Sequence, residues 1–174
     1  MNILFLSGVT QAGKSTTIRH SVQFLNVDET TKYKFLHPRE FQNPPKILHV
    51  NGKIICVYLD SPQEARTDPD KAVEYLKDKI KRAQNKNADL LILAFNISYF
   101  QDKKTDACLN WINSQGYKQN TYFAYLDSNM ELDVTARVRI ESMRNDGFNI
   151  LPTINRTTPD EQGKEFANYI LQLL

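Results

Sequence analysis

Residues 8–16 read Gly8-Val9-Thr10-Gln11-Ala12-Gly13-Lys14-Ser15-Thr16 (GVTQAGKST), and the apolar run Ile3-Leu4-Phe5-Leu6 stands directly before them. A short apolar run of that kind suits a strand covered on both faces. The stretch from Lys14 to Leu25 that follows reads as a helix. A loop between a strand and a helix, with glycines at 8 and 13, lets the backbone bend tightly and leaves no Cβ in the way of an anion. Successive N–H groups at the start of the helix then form a nest for negative charge. Lys14 adds a mobile point charge, and Ser15 a hydroxyl of the kind a hard cation such as Mg²⁺ accepts.

The rest of the chain alternates in the same way. Residues 26–45 (NVDETTKYKFLHPREFQNPP) are polar, end in Pro44-Pro45, and read as a long connection. Two apolar runs, KILHV and KIICVYLD, are joined by Asn51-Gly52, the strongest short signal for a two-residue hairpin turn, so these strands should be antiparallel. Residues 69–84 place Ala72, Val73, Leu76, Ile80 and Ala83 on one helical face, with Pro69 near the start. Asp89–Ile97 reads as a strand, Thr105–Gln115 as an amphipathic helix stopped at Gly116, and Thr121–Leu126 as a strand. Val134–Asn145 reads as a helix, Asn149–Ile154 as a last strand and Asp160–Leu173 as a closing helix capped near Thr158-Pro159. Together these elements specify an α/β chain: a three-layer fold with a mainly parallel sheet and one antiparallel edge strand from the hairpin.

Composition narrows the classes. At 174 residues the chain fits one domain, spanning residues 1–174. A chain of that size buries roughly 70% of its unfolded surface and needs no staples. Cys56 and Cys108 sit far apart in apolar stretches, which suits buried reduced thiols rather than a disulfide. No apolar run approaches the roughly 20 residues of a membrane span. Met1-Asn2 leads straight into the first strand, so the expected location is the cytoplasm. A net charge of +2, from 22 basic and 20 acidic residues, gives no overall field to attract nucleic acid or anionic lipid. His20, His37 and His49 have no metal-ligand spacing, and Trp111 and the aromatics from Tyr117 to Tyr125 read as packing residues.

The match of Gly8, Gly13, Lys14 and Ser15 to G-x-x-x-x-G-K-[ST], in its strand-then-helix setting, resembles the P-loop NTPases. That resemblance implies residues 8–16 around the phosphates of ATP or GTP, Lys14 at the β and γ phosphates, and Mg²⁺ on Ser15. It also implies a second metal-holding acid at the end of a neighbouring strand, for which Asp60, closing Ile54–Leu59, is the best candidate; position 96 carries Asn.

Two branches of the superfamily compete. The order of loop, helix, connection, hairpin and then Asp60-Ser61-Pro62-Gln63-Glu64 resembles the small GTPases. This likeness implies Thr30 or Thr31 as a ligand of Mg²⁺ and the γ phosphate, Gln63 or Glu64 as positioner of an attacking water, and a protein as partner. However, Gln63 stands where that family has glycine, and Leu126-Asp127-Ser128-Asn129 stands where its guanine-reading N-K-x-D would follow the strand. The second half, with Gln115-Gly116-Tyr117, a strand and then the arginine-bearing ARVRIESMRNDG, resembles the small P-loop kinases. That resemblance implies Arg137, Arg139 and Arg144 as charge-neutralising lid residues, and an acceptor-activating aspartate that could again be Asp60, with Glu64 and Arg66 at an acceptor that is a small molecule or a nucleic-acid end. Asp60 does not readily serve as both metal ligand and sole base, so one of the two roles falls elsewhere. Seven residues separate Arg137 and Arg144, so they share a helical face. Arg139 points away from Arg137 by roughly 200° around the helix. The expected catalytic set is therefore Lys14, Asp60, Arg137 and Arg144, in a kinase-like phosphotransferase.

Overall fold

The computed structural model describes residues 1–37, 46–65, 68–98, 102–127, 133–155 and 157–174. Six strands form one sheet: β1 (Asn2–Gly8), β2 (Lys46–Val50), β3 (Lys53–Tyr58), β4 (Leu90–Asn96), β5 (Thr121–Tyr125) and β6 (Asn149–Ile150). Their spatial order is β2-β3-β4-β1-β5-β6, parallel throughout except for the β2–β3 pair. Asn51 and Gly52 both have positive φ and make the tight hairpin turn expected of them. Helices are α1 (Lys14–Ser21), α2 (Glu29–Leu36), α3 (Pro62–Ala65), α4 (Pro69–Asn85), α5 (Asp102–Ser114), α6 (Asp133–Asn145) and α7 (Pro159–Gln172). Among the described residues, no helix is long and apolar enough to cross a membrane.

β1 is apolar on both faces because helices cover both. Side chains alternate across a strand, so Ile3 and Phe5 point into a core shared with Leu76 and Ile80 of α4, Cys108 and Ile112 of α5, and Ile140 and Met143 of α6. Leu4 and Leu6 point into the other core, with Ile18 of α1, Phe35 of α2, and Phe166 and Ile170 of α7. The first core is built around aromatic rings: Phe5 lies 4.8 Å from Phe95 and 4.9 Å from Phe123, and Phe148 meets Phe123 edge-on at 5.7 Å. Such pairs add roughly 0.5–1.5 kcal/mol each beyond their buried area. Both cysteines are free and buried. Trp111 is at the rim rather than inside, half-buried, with its ring 5.9 Å from that of Tyr117 and Lys77 above it.

Three features differ from the sequence reading. Part of the expected connection is α2, its N-terminus capped by Asp28 accepting from the Thr31 N–H. Phe35 of this helix is buried in the core. One cap and one apolar anchor are too little periodicity to show in a polar stretch. The last strand is only two residues, after which the chain touches β5's extension through the Leu126–Ile154 bridge. Finally, β4 lies between β3 and β1, so the strand ending at Asp60 is not the neighbour of β1 that the sequence reading required.

α1 and α7 pack unusually close. Thr17 Oγ1 donates to Gln162 Oε1 at 3.3 Å, His20 Nδ1 is 2.7 Å from Asp160 Oδ1, and a Cβ at Gly163 would fall 2.7 Å from the His20 carbonyl carbon and Cβ. Alanine in a helix interior ordinarily gains about 0.8–1.0 kcal/mol over glycine, but here it overpacks a backbone contact. Gly163→Ala is expected to destabilise the protein by about 1–3 kcal/mol, read as a lower urea midpoint at unchanged slope; a higher midpoint would show that the two helices do not touch there.

Candidate functional site

At the C-terminal end of β1 the chain is forced into a tight loop. A Cβ at Gly8 would stand 3.1 Å from the carbonyl oxygen of Leu126 and 3.3 Å from Ala12 Cβ, so any larger residue would press the strand end against its extension of β5. Gln11 and Gly13 are left-handed, and Gly13 is the N-cap of α1 without any side-chain cap. The first N–H groups of a helix have no intrahelical acceptor, and the place where a Gly13 Cβ would sit has nothing within 4 Å. Gly13 gives these donors no side-chain acceptor, the electrostatic condition for an anion.

Lys14 turns back over this loop. Its Nζ donates to the carbonyls of Gly8 (3.2 Å) and Val9 (2.6 Å) and lies 4.0 Å from Glu64 Oε1, while the residue is 5% exposed. Burial pushes the Lys14 amine below the usual lysine value, and the Glu64 carboxylate partly offsets this. Carbonyl dipoles hold the ammonium where a phosphate oxygen could replace them as partner.

Oxygen donors collect beside it. Ser15 Oγ donates to the Leu59 carbonyl at 2.8 Å, which sets the hydroxyl at the end of β3 where Asp60 follows. The Asp60 carboxylate accepts from the Tyr75 phenol of α4. Asn96, at the end of β4, donates from Nδ2 to Thr10 Oγ1 and to Glu64 Oε1, both at 2.7 Å. α3 is fixed through Gln63, fully buried, whose Oε1 accepts from Ser61 Oγ (2.7 Å) and the Asn96 N–H (3.3 Å), while Lys104 Nζ donates to its carbonyl at 2.9 Å. Among the described residues no group of three or more His, Cys, Asp and Glu assembles. A hydroxyl and separated carboxylates suit a hard divalent ion that keeps most of its water, and on that ground the donors fit Mg²⁺.

The expected arginines separate. Arg137 donates to Asp127 Oδ2 at 2.6 Å, and Asp127, itself buried, follows β5 at the same sheet end as the loop. Arg139 pairs with Asp106 of α5. Arg144 pairs with Glu141, about 10 Å further along α6 than Arg137, where the helix leads toward β6 at the opposite end of the sheet. The structure thus brings residues 8–16, Asp60 and Arg137 to one end and leaves Arg144 at the other. Thr31 is engaged in the α2 cap, its hydroxyl donating to Asp28 at 2.6 Å. Pro44, Pro45, Arg66, Ser128 and Asn129 lie outside the described residues.

The sequence reading missed Tyr75 and Lys104, and took Asn96 only as a missing acid. Tyr75 had a usable signal, three residues after Ala72 on the inward face of α4; Lys104 had none. No protein-family model, curated protein or solved structure matches the chain.

Gln63 anchors the whole acidic turn, so its amide is testable apart from any ligand. Gln63→Leu leaves the Ser61 hydroxyl and the Asn96 N–H buried without their acceptor. A loss of about 1–3 kcal/mol is expected, measured by urea unfolding. Unchanged stability would show that the turn is held by something else.

Proposed function

We propose that this chain is a P-loop protein that binds ATP or GTP with Mg²⁺ and transfers the γ phosphate in the manner of a small kinase. One observation carries the reading: the glycine-hinged loop brings the buried Lys14 ammonium and the uncapped N-terminus of α1 together at the end of the central strand. The loop N–H groups and Lys14 would bind the phosphates, with Lys14 leaving the Gly8 and Val9 carbonyls for them. Ser15 and Asp60 would hold Mg²⁺, which when bound supplies charge neutralisation between the phosphates. Arg137 stands at the same end, able to offset charge that spreads over the transferring group. A reducing, cytoplasmic location belongs to this reading, in keeping with two free, buried cysteines.

A GTPase-like switch acting on a protein partner is the second reading, favoured by the antiparallel β2–β3 hairpin running into Asp60, Gln63 and Glu64. Against it stand β4 between β3 and β1, and α2 where a switch segment was expected. Asp127, within the stretch where the guanine motif would stand, has its carboxylate on Arg137.

Lys14→Ala should lower affinity for MgATP and MgGTP at least a hundredfold in calorimetry, with an unchanged circular dichroism spectrum; wild-type affinity in that variant removes the nucleotide reading. Asp60→Asn should slow Mg²⁺-dependent phosphate release at least tenfold more than it weakens metal-free nucleotide binding. Equal loss of both would make Asp60 a structural residue held for Tyr75.

A further inference from the structure

Transfer to a hydroxyl needs a place for its proton, and Asp60, Glu64 and Asp127 are among the acids at the loop end of the sheet. Asp127 is bound by Arg137, and the Asp60 carboxylate by the Tyr75 phenol. Glu64 differs in facing the loop lysine, Lys14. Asn96 Nδ2 holds its Oε1 at 2.7 Å, and Asn96 is itself immobilised: it is fully buried, its N–H donates to Gln63 Oε1, and its Oδ1 accepts from the Ser98 N–H at 2.9 Å. The Glu64 side chain is nonetheless 37% exposed, and its Oε2 has no protein partner among the described residues. A fixed carboxylate with one free oxygen therefore stands at the mouth of the site.

The distance to the loop is the second element. Glu64 Oε1 is 4.0 Å from Lys14 Nζ. An ammonium bonds a phosphate oxygen at about 2.7–2.9 Å, and a base accepts a proton from a group within about 2.6–3.2 Å. A γ phosphate taken up by Lys14 and a hydroxyl taken up by Glu64 would consequently be neighbours in the same site.

We propose that Glu64 is the general base of the reaction and that the acceptor is an alcohol rather than a phosphate. The acceptor oxygen bonds to the γ phosphorus, its proton passes to Glu64 Oε2, and the bond from that phosphorus to the β–γ bridging oxygen breaks, the nucleoside diphosphate leaving with the electron pair. Glu64 then releases the proton to solvent. A phosphate acceptor is already ionised near neutrality and needs no base, and a carboxylate at this position repels it. The inference rests on the nucleotide reading above, and it narrows the acceptor classes to those presenting a hydroxyl.

The test compares wild type, Glu64→Gln and Glu64→Asp. Calorimetry with MgATP is followed by transfer of labelled γ phosphate to water, to thymidine and to thymidine 5′-monophosphate. Glutamine keeps an acceptor for Asn96 but cannot take the proton, so Glu64→Gln is expected to bind MgATP within threefold of wild type and to lose transfer by about 10²–10⁴. Glu64→Asp should fall between the two, and thymidine should be preferred to its monophosphate. Equal rates in wild type and Glu64→Gln, including equal absence of transfer, overturn the base, and preference for the monophosphate overturns the acceptor class. Failure of the wild type to bind MgATP overturns the nucleotide reading itself, and this inference with it.

Discussion

The closeness of β1 and β5 at Gly8 is the constraint on which the rest of the site depends. With 3.1 Å between a notional Cβ and the Leu126 carbonyl oxygen, any side chain at position 8 would press on the paired strand end. Since Leu126 N–H donates to the Ser7 carbonyl at 2.8 Å, the two strands stay paired up to the last residue before the loop. The loop begins from a fixed point. It then has only residues 9–13 in which to reverse into α1, and the left-handed backbone at Gln11 and Gly13 is how it does so. Lys14, first residue of α1, is consequently delivered back over the carbonyls of Gly8 and Val9 rather than into solvent.

That delivery has an electrostatic cost which shapes the neighbours. Burying an ammonium disfavours its charged form, and at Lys14 the Glu64 carboxylate and two carbonyl dipoles offset it. Glu64 in turn depends on α3, a helix of four residues with no stability of its own. Its rigidity comes from Gln63, which spans from Ser61 to the backbone of β4, and from Lys104 reaching over from α5. The apolar layer below supports the same elements: α4 and α5 lie on the Phe5, Phe95 and Phe123 cluster, and their first turns carry or approach the site. Packing and polar chemistry are therefore continuous here.

Much of this was legible in the sequence, and the division follows the range of the interactions. β1, the Asn51-Gly52 hairpin, α4 and α7 are written in local periodicity and turn chemistry, and they stand where those signals put them. The loop residues are likewise local. Strand order is not: nothing in residues 53–60 or 90–96 says that β4 and not β3 adjoins β1, because both are buried apolar strands of similar length. The placement of Asp60 beside β1 failed for that reason. Arg144 illustrates a related limit, since helical spacing tells that it shares a face with Arg137 but not that α6 runs away from the site between them.

The helix α2 also bears on which of the two proposed readings is better supported. A switch works by letting segments around the γ phosphate exchange order for disorder. The part of the connection between α1 and β2 that is described is instead a capped helix with Phe35 in the core, and its Thr31 hydroxyl is held by Asp28. Releasing the Thr31 hydroxyl would give up its bond to Asp28 Oδ2, and drawing α2 away would expose Phe35, roughly 1.5–3 kcal/mol. A γ phosphate would have to supply that difference through contacts made in only one state. Around Glu64 no such rearrangement is required, because Asn96, Gln63 and Lys104 already hold the carboxylate turn beside Lys14. The preorganised side of the site is the one that would meet an acceptor, and this asymmetry supports transfer over switching.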